Sequence, residues 1–136
     1  MNFSQVKVGD EELRVMLEAG LVLREAGRFD EAEKIFEGVR LLVPQADVPL
    51  VALSSLAVRR GDFEKALRLS EEALQAAPSS VFARLQHAEV LLYQQRREEA
   101  ERELHEIIEN APDSPHTPAA RALLEAMRLS GQIDAL

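Results

Sequence analysis

The residues best suited to chemistry are the three histidines. The stretch His105–Glu109 holds the first half of a zinc-binding His-Glu-x-x-His helix, but its last position is a glutamate. Zinc binding on such a helix needs a second histidine four residues after the first. His87 and His116 fall in other segments of the chain. We therefore expect separate packing or surface histidines, and no metal site.

Neighbouring carboxylates and serines are the remaining candidates for catalysis. Glu11-Glu12, Glu71-Glu72 and Glu98-Glu99 fall on helix faces that are expected to be solvated. Ser79 and Ser80 follow a proline and precede an apolar stretch, which is typical of a helix N-cap. The six glycines are isolated, so no phosphate-binding glycine loop is present. The sequence predicts no catalytic residues and no cofactor, and we expect a protein that is not an enzyme.

Composition limits the partners. Sixteen Lys and Arg residues against 24 Asp and Glu give a net charge of −8, which disfavours binding to nucleic acid and to anionic membranes. No apolar run approaches the roughly 20 residues that span a bilayer. The first residues lack a positively charged segment followed by an apolar one, so no secretory signal is expected. Cysteine is absent, which excludes disulfides and thiolate sites but does not indicate the compartment. We expect a cytoplasmic protein without membrane insertion.

An internal repeat of 34 residues organises the chain. That spacing separates equivalent landmarks of successive units, namely Ala32, Ala66 and Ala100; Pro44, Pro78 and Pro112; Gly27 and Gly61; and Phe29 and Phe63. A small alanine lets two helices approach closely, a glycine fits the left-handed end of a helix, and a proline stops the next one. Each unit should therefore be a pair of helices.

The landmarks and the abundance of Leu, Ala and Glu predict an all-α chain. The predicted N-caps are Asp10, either Ser79 or Ser80, and Thr117, and Gly131 is a predicted helix end. The predicted helices, with boundaries good to about 2–4 residues, cover residues 11–25, 29–42, 47–59, 63–76, 80–94, 97–110 and 117–130.

The period and the landmark positions resemble those of the tetratricopeptide repeat family. Gly20 with Leu23 matches the family's first-helix pattern, whereas Met16, Leu50 and Arg84 stand where the family usually has Trp or a large apolar residue. In the third unit, Gln95 and Arg97 replace the family's Gly and Phe. The resemblance implies a right-handed α-solenoid of three helix-turn-helix units and a C-terminal capping helix. The implied organisation is an N-terminal tail (1–9), a repeat domain (10–130; repeats at about 13–46, 47–80 and 81–114, capping helix at about 117–130) and a C-terminal tail (131–136).

By analogy with the family, the first helices of the units should line a concave groove. The predicted partner-binding residues are mostly apolar: Leu17, Leu21, Val48, Val51, Val58, Phe82, Leu85, Glu89, Leu92 and Tyr93. The positions that grip a terminal carboxylate in some family members hold Leu17, Leu21, Phe82 and Gln86, so no such clamp is expected. Large exposed apolar patches usually mark binding sites. The expected ligand is an apolar peptide or helix of a partner protein.

Three functions stay open at this point. The leading one is a protein-interaction module, either a chaperone or an adaptor. A finer resemblance, carried by Phe29–Phe36, Gln86–Leu92 and Glu98–Glu101, is to the type III secretion chaperones of translocators and needle subunits. The third is a scaffold that associates with itself, for example as a homodimer.

Overall fold

The computed structural model describes residues 9–134, which form seven α-helices. Their bounds are α1 Asp10–Glu25, α2 Phe29–Leu42, α3 Val48–Arg59, α4 Phe63–Ala76, α5 Val81–Tyr93, α6 Arg97–Asn110 and α7 Thr117–Asp134. The second helix of each pair begins and ends where the sequence predicts. The all-α helical repeat fold is confirmed.

The helices stack as three pairs and one terminal helix. α1 packs on α2, α3 on α4, and α5 on α6, and each pair also packs on the first helix that follows it. The first helices contact one another across the pairs, α1 with α3 and α3 with α5. This arrangement gathers the first helices on one face of the molecule.

The predicted alanines are buried between the packed helices. Ala32, Ala66 and Ala100 are each completely buried, as are Phe36 and Leu104 four residues after their alanines. Ser70 holds the equivalent position in the second unit, where the sequence predicts looser packing. It too is completely buried, and its hydroxyl donates a hydrogen bond of 2.8 Å to the carbonyl of Leu67.

Helix starts differ from the prediction at two of three sites. Ser80 caps α5 as expected, because its Oγ accepts a hydrogen bond of 3.1 Å from the Ala83 amide. Asp10 is already helical, and Gly9 is the N-cap of α1. Thr117 is the first helical residue of α7, and its hydroxyl donates back to the carbonyl of Ala111.

The terminal helix covers the last pair. Ala120 and Met127 of α7 are buried against α5 and α6, with Leu123 and Leu124 partly buried beside them. Ala119, which the sequence places in this contact, is exposed. Gly131 does not end α7, since an isolated glycine costs a helix only about 1 kcal/mol and no proline follows it. Most of the predicted N-terminal tail, residues 1–8, and residues 135–136 of the predicted C-terminal tail lie outside the described part.

The turn inside each pair has one backbone geometry. Gly27 and Gly61 adopt φ of 77° and 78°, and the third turn places Gln95 at φ 61°. In all three turns the following amide donates back to a carbonyl of the preceding helix, at 2.8–2.9 Å. Glycine accepts this left-handed conformation readily, whereas in a residue with a side chain it costs roughly 1–2 kcal/mol. The third turn is therefore strained at Gln95.

We expect Gln95→Gly to raise the free energy of unfolding by about 0.5–1 kcal/mol, because removing the strain outweighs the extra freedom of glycine in the unfolded chain. Chemical unfolding monitored by circular dichroism would measure it. Gln94, with φ of −88°, provides the matched control. Gln94→Gly should lower stability by about 0.5–1 kcal/mol, and a gain at both positions would contradict the strain at Gln95.

Candidate functional site

A groove made of two adjoining cavities lies on the face formed by the first helices. Its main part is a cavity of about 540 Å³ between α1, α3 and α5. A second cavity of about 410 Å³ continues it between α5 and α7. Glu89 of α5 lines both cavities. We call the two cavities together the groove.

Apolar side chains make most of the groove surface. Leu17 and Leu21, four residues apart on α1, lie on one face of that helix. They face Val48 and Val51 of α3, and Phe82 closes the α5 side. Leu21 and Val48 are 38% and 39% exposed, a large fraction for apolar side chains in a concave surface. The groove can therefore bury apolar groups of a ligand.

The structure brings most of the predicted binding residues together. Eight of the ten line the groove: Leu17, Leu21, Val48, Val51, Phe82, Glu89, Leu92 and Tyr93. Two do not, and the prediction is corrected for them. Leu85 points to the contact of α5 with α6 and α7 and is 8% exposed, and Val58 packs against the core of the first two units.

Other lining residues escaped the prediction. Phe36 of α2 lies beneath the groove floor, and Leu123 of α7 lines the second cavity. Neither belongs to a first helix of a unit, so the repeat pattern does not assign them to the groove. Gln86 is held by a buried relay, in which its Nε2 donates to Ser54 Oγ (3.1 Å) and that hydroxyl donates to the Ala66 carbonyl (2.8 Å).

Two aromatic stacks fix side chains at the groove wall. The ring of Phe82 stacks on His116, with centroids 5.0 Å apart. The ring of Tyr93 stacks on Phe63 at 5.3 Å, and Tyr93 remains 55% exposed. Stacking of this kind contributes about 0.5–1.5 kcal/mol beyond burial and restricts both rings. The groove therefore presents ordered aromatic surfaces.

The arginines of the groove are already paired. Arg24 donates a hydrogen bond of 2.7 Å to Ser55 Oγ and binds Glu25 at 3.1 Å. Arg14 bridges Glu11 and Glu18, the latter at 3.0 Å. The hydrogen bond from Arg24, with the charge of Arg59, holds the pKa of Glu25 below its ordinary value.

Glu89 differs from these groups. Its side chain is partly buried, and the described residues give it neither a hydrogen bond nor an ion pair within 4.0 Å. Burial raises the pKa of Glu89, because the surrounding apolar groups disfavour its charged form. A cation or a hydrogen-bond donor of a ligand would therefore stabilise this carboxylate in its charged form.

The three histidines occupy separate settings. His87 Nδ1 lies 2.7 Å from both carboxylate oxygens of Glu103, at the contact of α5 and α6. His116 stacks on Phe82, and His105 is exposed on α6. Within residues 9–134, no three His, Asp or Glu side chains come together as metal ligands. In the same part of the chain, no helix has the length and apolar character that a bilayer crossing requires.

Solved structures share this fold. SycD, the type III secretion translocator chaperone of Yersinia enterocolitica, is 18% identical over 87% of this chain and 91% of its own, with a TM-score of 0.75. SycD in complex with a peptide of the translocator YopD is 18% identical over 93% and 99%, with a TM-score of 0.71. PcrH of Pseudomonas aeruginosa, in complex with the chaperone binding region of PopB, is 22% identical over 88% and 97%, with a TM-score of 0.71. At these identities the likeness establishes the fold.

Comparison with curated protein sequences gives no match. Two family models do match, both described as tetratricopeptide repeat. One covers residues 57–127, which is more than half of the chain. The other covers residues 13–37, in the first repeat. With the three stacked helix pairs, these matches establish that the chain belongs to the tetratricopeptide repeat family.

Proposed function

We propose that this protein is a peptide-binding chaperone that holds an apolar segment of a partner protein in its groove. The observation that carries the proposal is the apolar lining of the main cavity, where large side chains such as Leu21 and Val48 remain accessible. Exposed apolar surface of this kind is costly for a protein that has no partner for it. Binding an apolar segment would bury this surface.

The finer form of the proposal is a type III secretion chaperone for a translocator or needle subunit. SycD and PcrH, which share the fold over most of both chains, are solved with segments of the proteins YopD and PopB. This chain presents an apolar groove on the same repeat fold, which supports a ligand of the same kind. A chaperone that holds a segment before export acts in the cytoplasm, which is the location we propose.

We propose binding in preference to catalysis on the chemistry of the lining. The groove is dominated by aliphatic and aromatic side chains, and its arginines are engaged by Glu18, Glu25 and Ser55. These groups are placed to shape and orient a ligand. An adaptor that assembles two proteins would use the same surface, and the identity of the captured partner separates an adaptor from a chaperone.

The test is capture of the partner from the native host, with each bound protein identified by mass spectrometry. Leu21→Glu places a charge on the groove and should abolish capture, because an apolar ligand would then bury an unpaired carboxylate. Leu41→Glu is the matched control. Leu41 is 55% exposed on α2, outside the groove lining, so this variant should capture as wild type does.

Comparison of wild type with the two variants separates the possible partners. A translocator or needle subunit that is lost with Leu21→Glu and retained with Leu41→Glu supports the chaperone. Equal capture by all three proteins would contradict the groove as the binding site. Light scattering on the free protein would measure its mass and so test for self-association. A dimer that dissociates with Leu21→Glu would show that a second copy occupies the groove.

A further inference from the structure

Glu89 stands out among the charged residues of the groove. Arg14, Glu18 and Arg24 each make an ion pair with a neighbour on α1. For Glu89, the described part of the chain provides no such partner within 4.0 Å. Its carboxylate is partly withdrawn from water without compensation from these residues.

Glu89 lies at the boundary between the two cavities of the groove, where an extended ligand would pass it. It lies where the main cavity meets the second one, so it contacts both. Phe82 and Val51 lie on one side of it, and Leu92 and Leu123 lie on the other. A peptide segment that fills both cavities must cross Glu89 between two apolar contacts.

We propose that the groove selects a peptide segment with a Lys or Arg side chain between two apolar residues, and that Glu89 pairs with that cation. This inference rests on the proposed function and names the chemistry of its ligand. A cation that binds here compensates a carboxylate that is already partly withdrawn from water, so an ion pair at this position is expected to contribute more to binding than one at an exposed site. The net charge of −8 also attracts basic segments.

The groove charges indicate where the cation binds. At the α1 side the carboxylates are already engaged by Arg14 and Arg24, whereas Glu89, at the side of α5 and α7, has no close cation among the described residues. Burial raises the pKa of Glu89 because it disfavours the charged carboxylate. A ligand cation beside the carboxylate would favour that charged form again. Charge complementarity thus assigns the basic residue of the ligand to the boundary between the two cavities.

A library of random peptides displayed on phage tests the inference with the full chain as bait. Wild type should enrich peptides with Lys or Arg flanked by apolar residues. Glu89→Gln preserves the shape and removes the charge, so it should keep the apolar preference and lose the basic one. Glu109→Gln is the matched control, because it removes the same charge from an exposed position on α6 that lies outside the groove lining. This variant should select as wild type does.

A second experiment changes the peptide instead of the protein, so its result with wild type does not depend on how any variant folds. Replacing the basic residue of one selected peptide with norleucine should weaken its binding to wild type by about tenfold. The same replacement should leave the affinity for Glu89→Gln nearly unchanged.

The outcomes distinguish this inference from the proposed function. If wild type selects apolar peptides with no basic preference, or if norleucine binds equally well, the pairing with Glu89 is overturned and the apolar groove stands. If Leu21→Glu selects the same peptides as wild type, the groove itself is overturned, and the role of Glu89 falls with it.

Discussion

Replacing Met127 with alanine should lower the free energy of unfolding by about 2–5 kcal/mol. Met127 is 5% exposed and packs with Leu104 and Ile107 of α6 in the core between α5, α6 and α7. Truncating its side chain removes that burial and leaves a cavity where α7 covers the last repeat. Denaturant unfolding of the full chain, monitored by circular dichroism, would measure the loss.

Leu129 provides the control on the same helix. It is 46% exposed, so Leu129→Ala removes a similar amount of aliphatic side chain from a solvated position. We expect a change within about 0.5 kcal/mol. Equal losses at positions 127 and 129 would mean that α7 does not cover the last pair in the way the structure shows.

The repeat made most of the fold predictable. Landmarks such as Ala32 and Gly27 recur every 34 residues because each unit packs its two helices in the same way. Close helix contacts favour small residues and left-handed turns favour glycine, so few residue types fit these positions. The end of α7 was less predictable. It lies outside the repeat, and Gly131 is compatible with both a helix end and a helix interior.

The sequence predicts which helices line the groove better than it predicts which of their side chains do. Assigning the first helices to the concave face places Leu17, Val51 and Phe82 correctly. The positions of α5 that line the main cavity are Phe82, Gln86 and Glu89. Leu85 lies at the edge of that stripe, on the side that packs against α6 and α7. Small differences in helix rotation decide such positions, and sequence spacing alone does not resolve them.

The importance of Glu89 could not be derived from its position alone. The sequence places it in the groove, but a carboxylate there could equally be paired with a neighbouring arginine, as Glu18 is. Its distinction lies in the combination of partial burial, two adjoining cavities and the absence of a close partner among the described residues. Those properties depend on tertiary packing.

Replacing Gly20 with alanine should lower the free energy of unfolding by up to about 2 kcal/mol. A Cβ at this position would lie 2.3 Å from Cε1 of Phe36 and 2.9 Å from two further ring atoms. Phe36 is completely buried, so its ring can move only by displacing the side chains packed around it. This overpacking outweighs the roughly 1 kcal/mol by which alanine favours a helix over glycine. Denaturant unfolding would measure the net loss.

Gly38 gives the matched control, since it is also helical and lies in the helix that carries Phe36. A Cβ there would meet only Met16 Cε, at 4.0 Å, so Gly38→Ala should raise stability by up to about 1 kcal/mol. The two substitutions are chemically identical and should act in opposite directions. A gain in stability at both positions would contradict the close contact at Gly20.

A double substitution shows whether the loss comes from the ring of Phe36. Phe36→Leu removes the clashing ring atoms, so Gly20→Ala should cost less in that background, with a coupling of about 0.5–3 kcal/mol. Phe36 also lies beneath the groove floor. Any displacement of its ring by the added methyl group would therefore move the surface that receives the ligand, so Gly20→Ala should weaken peptide binding while Gly38→Ala leaves it unchanged.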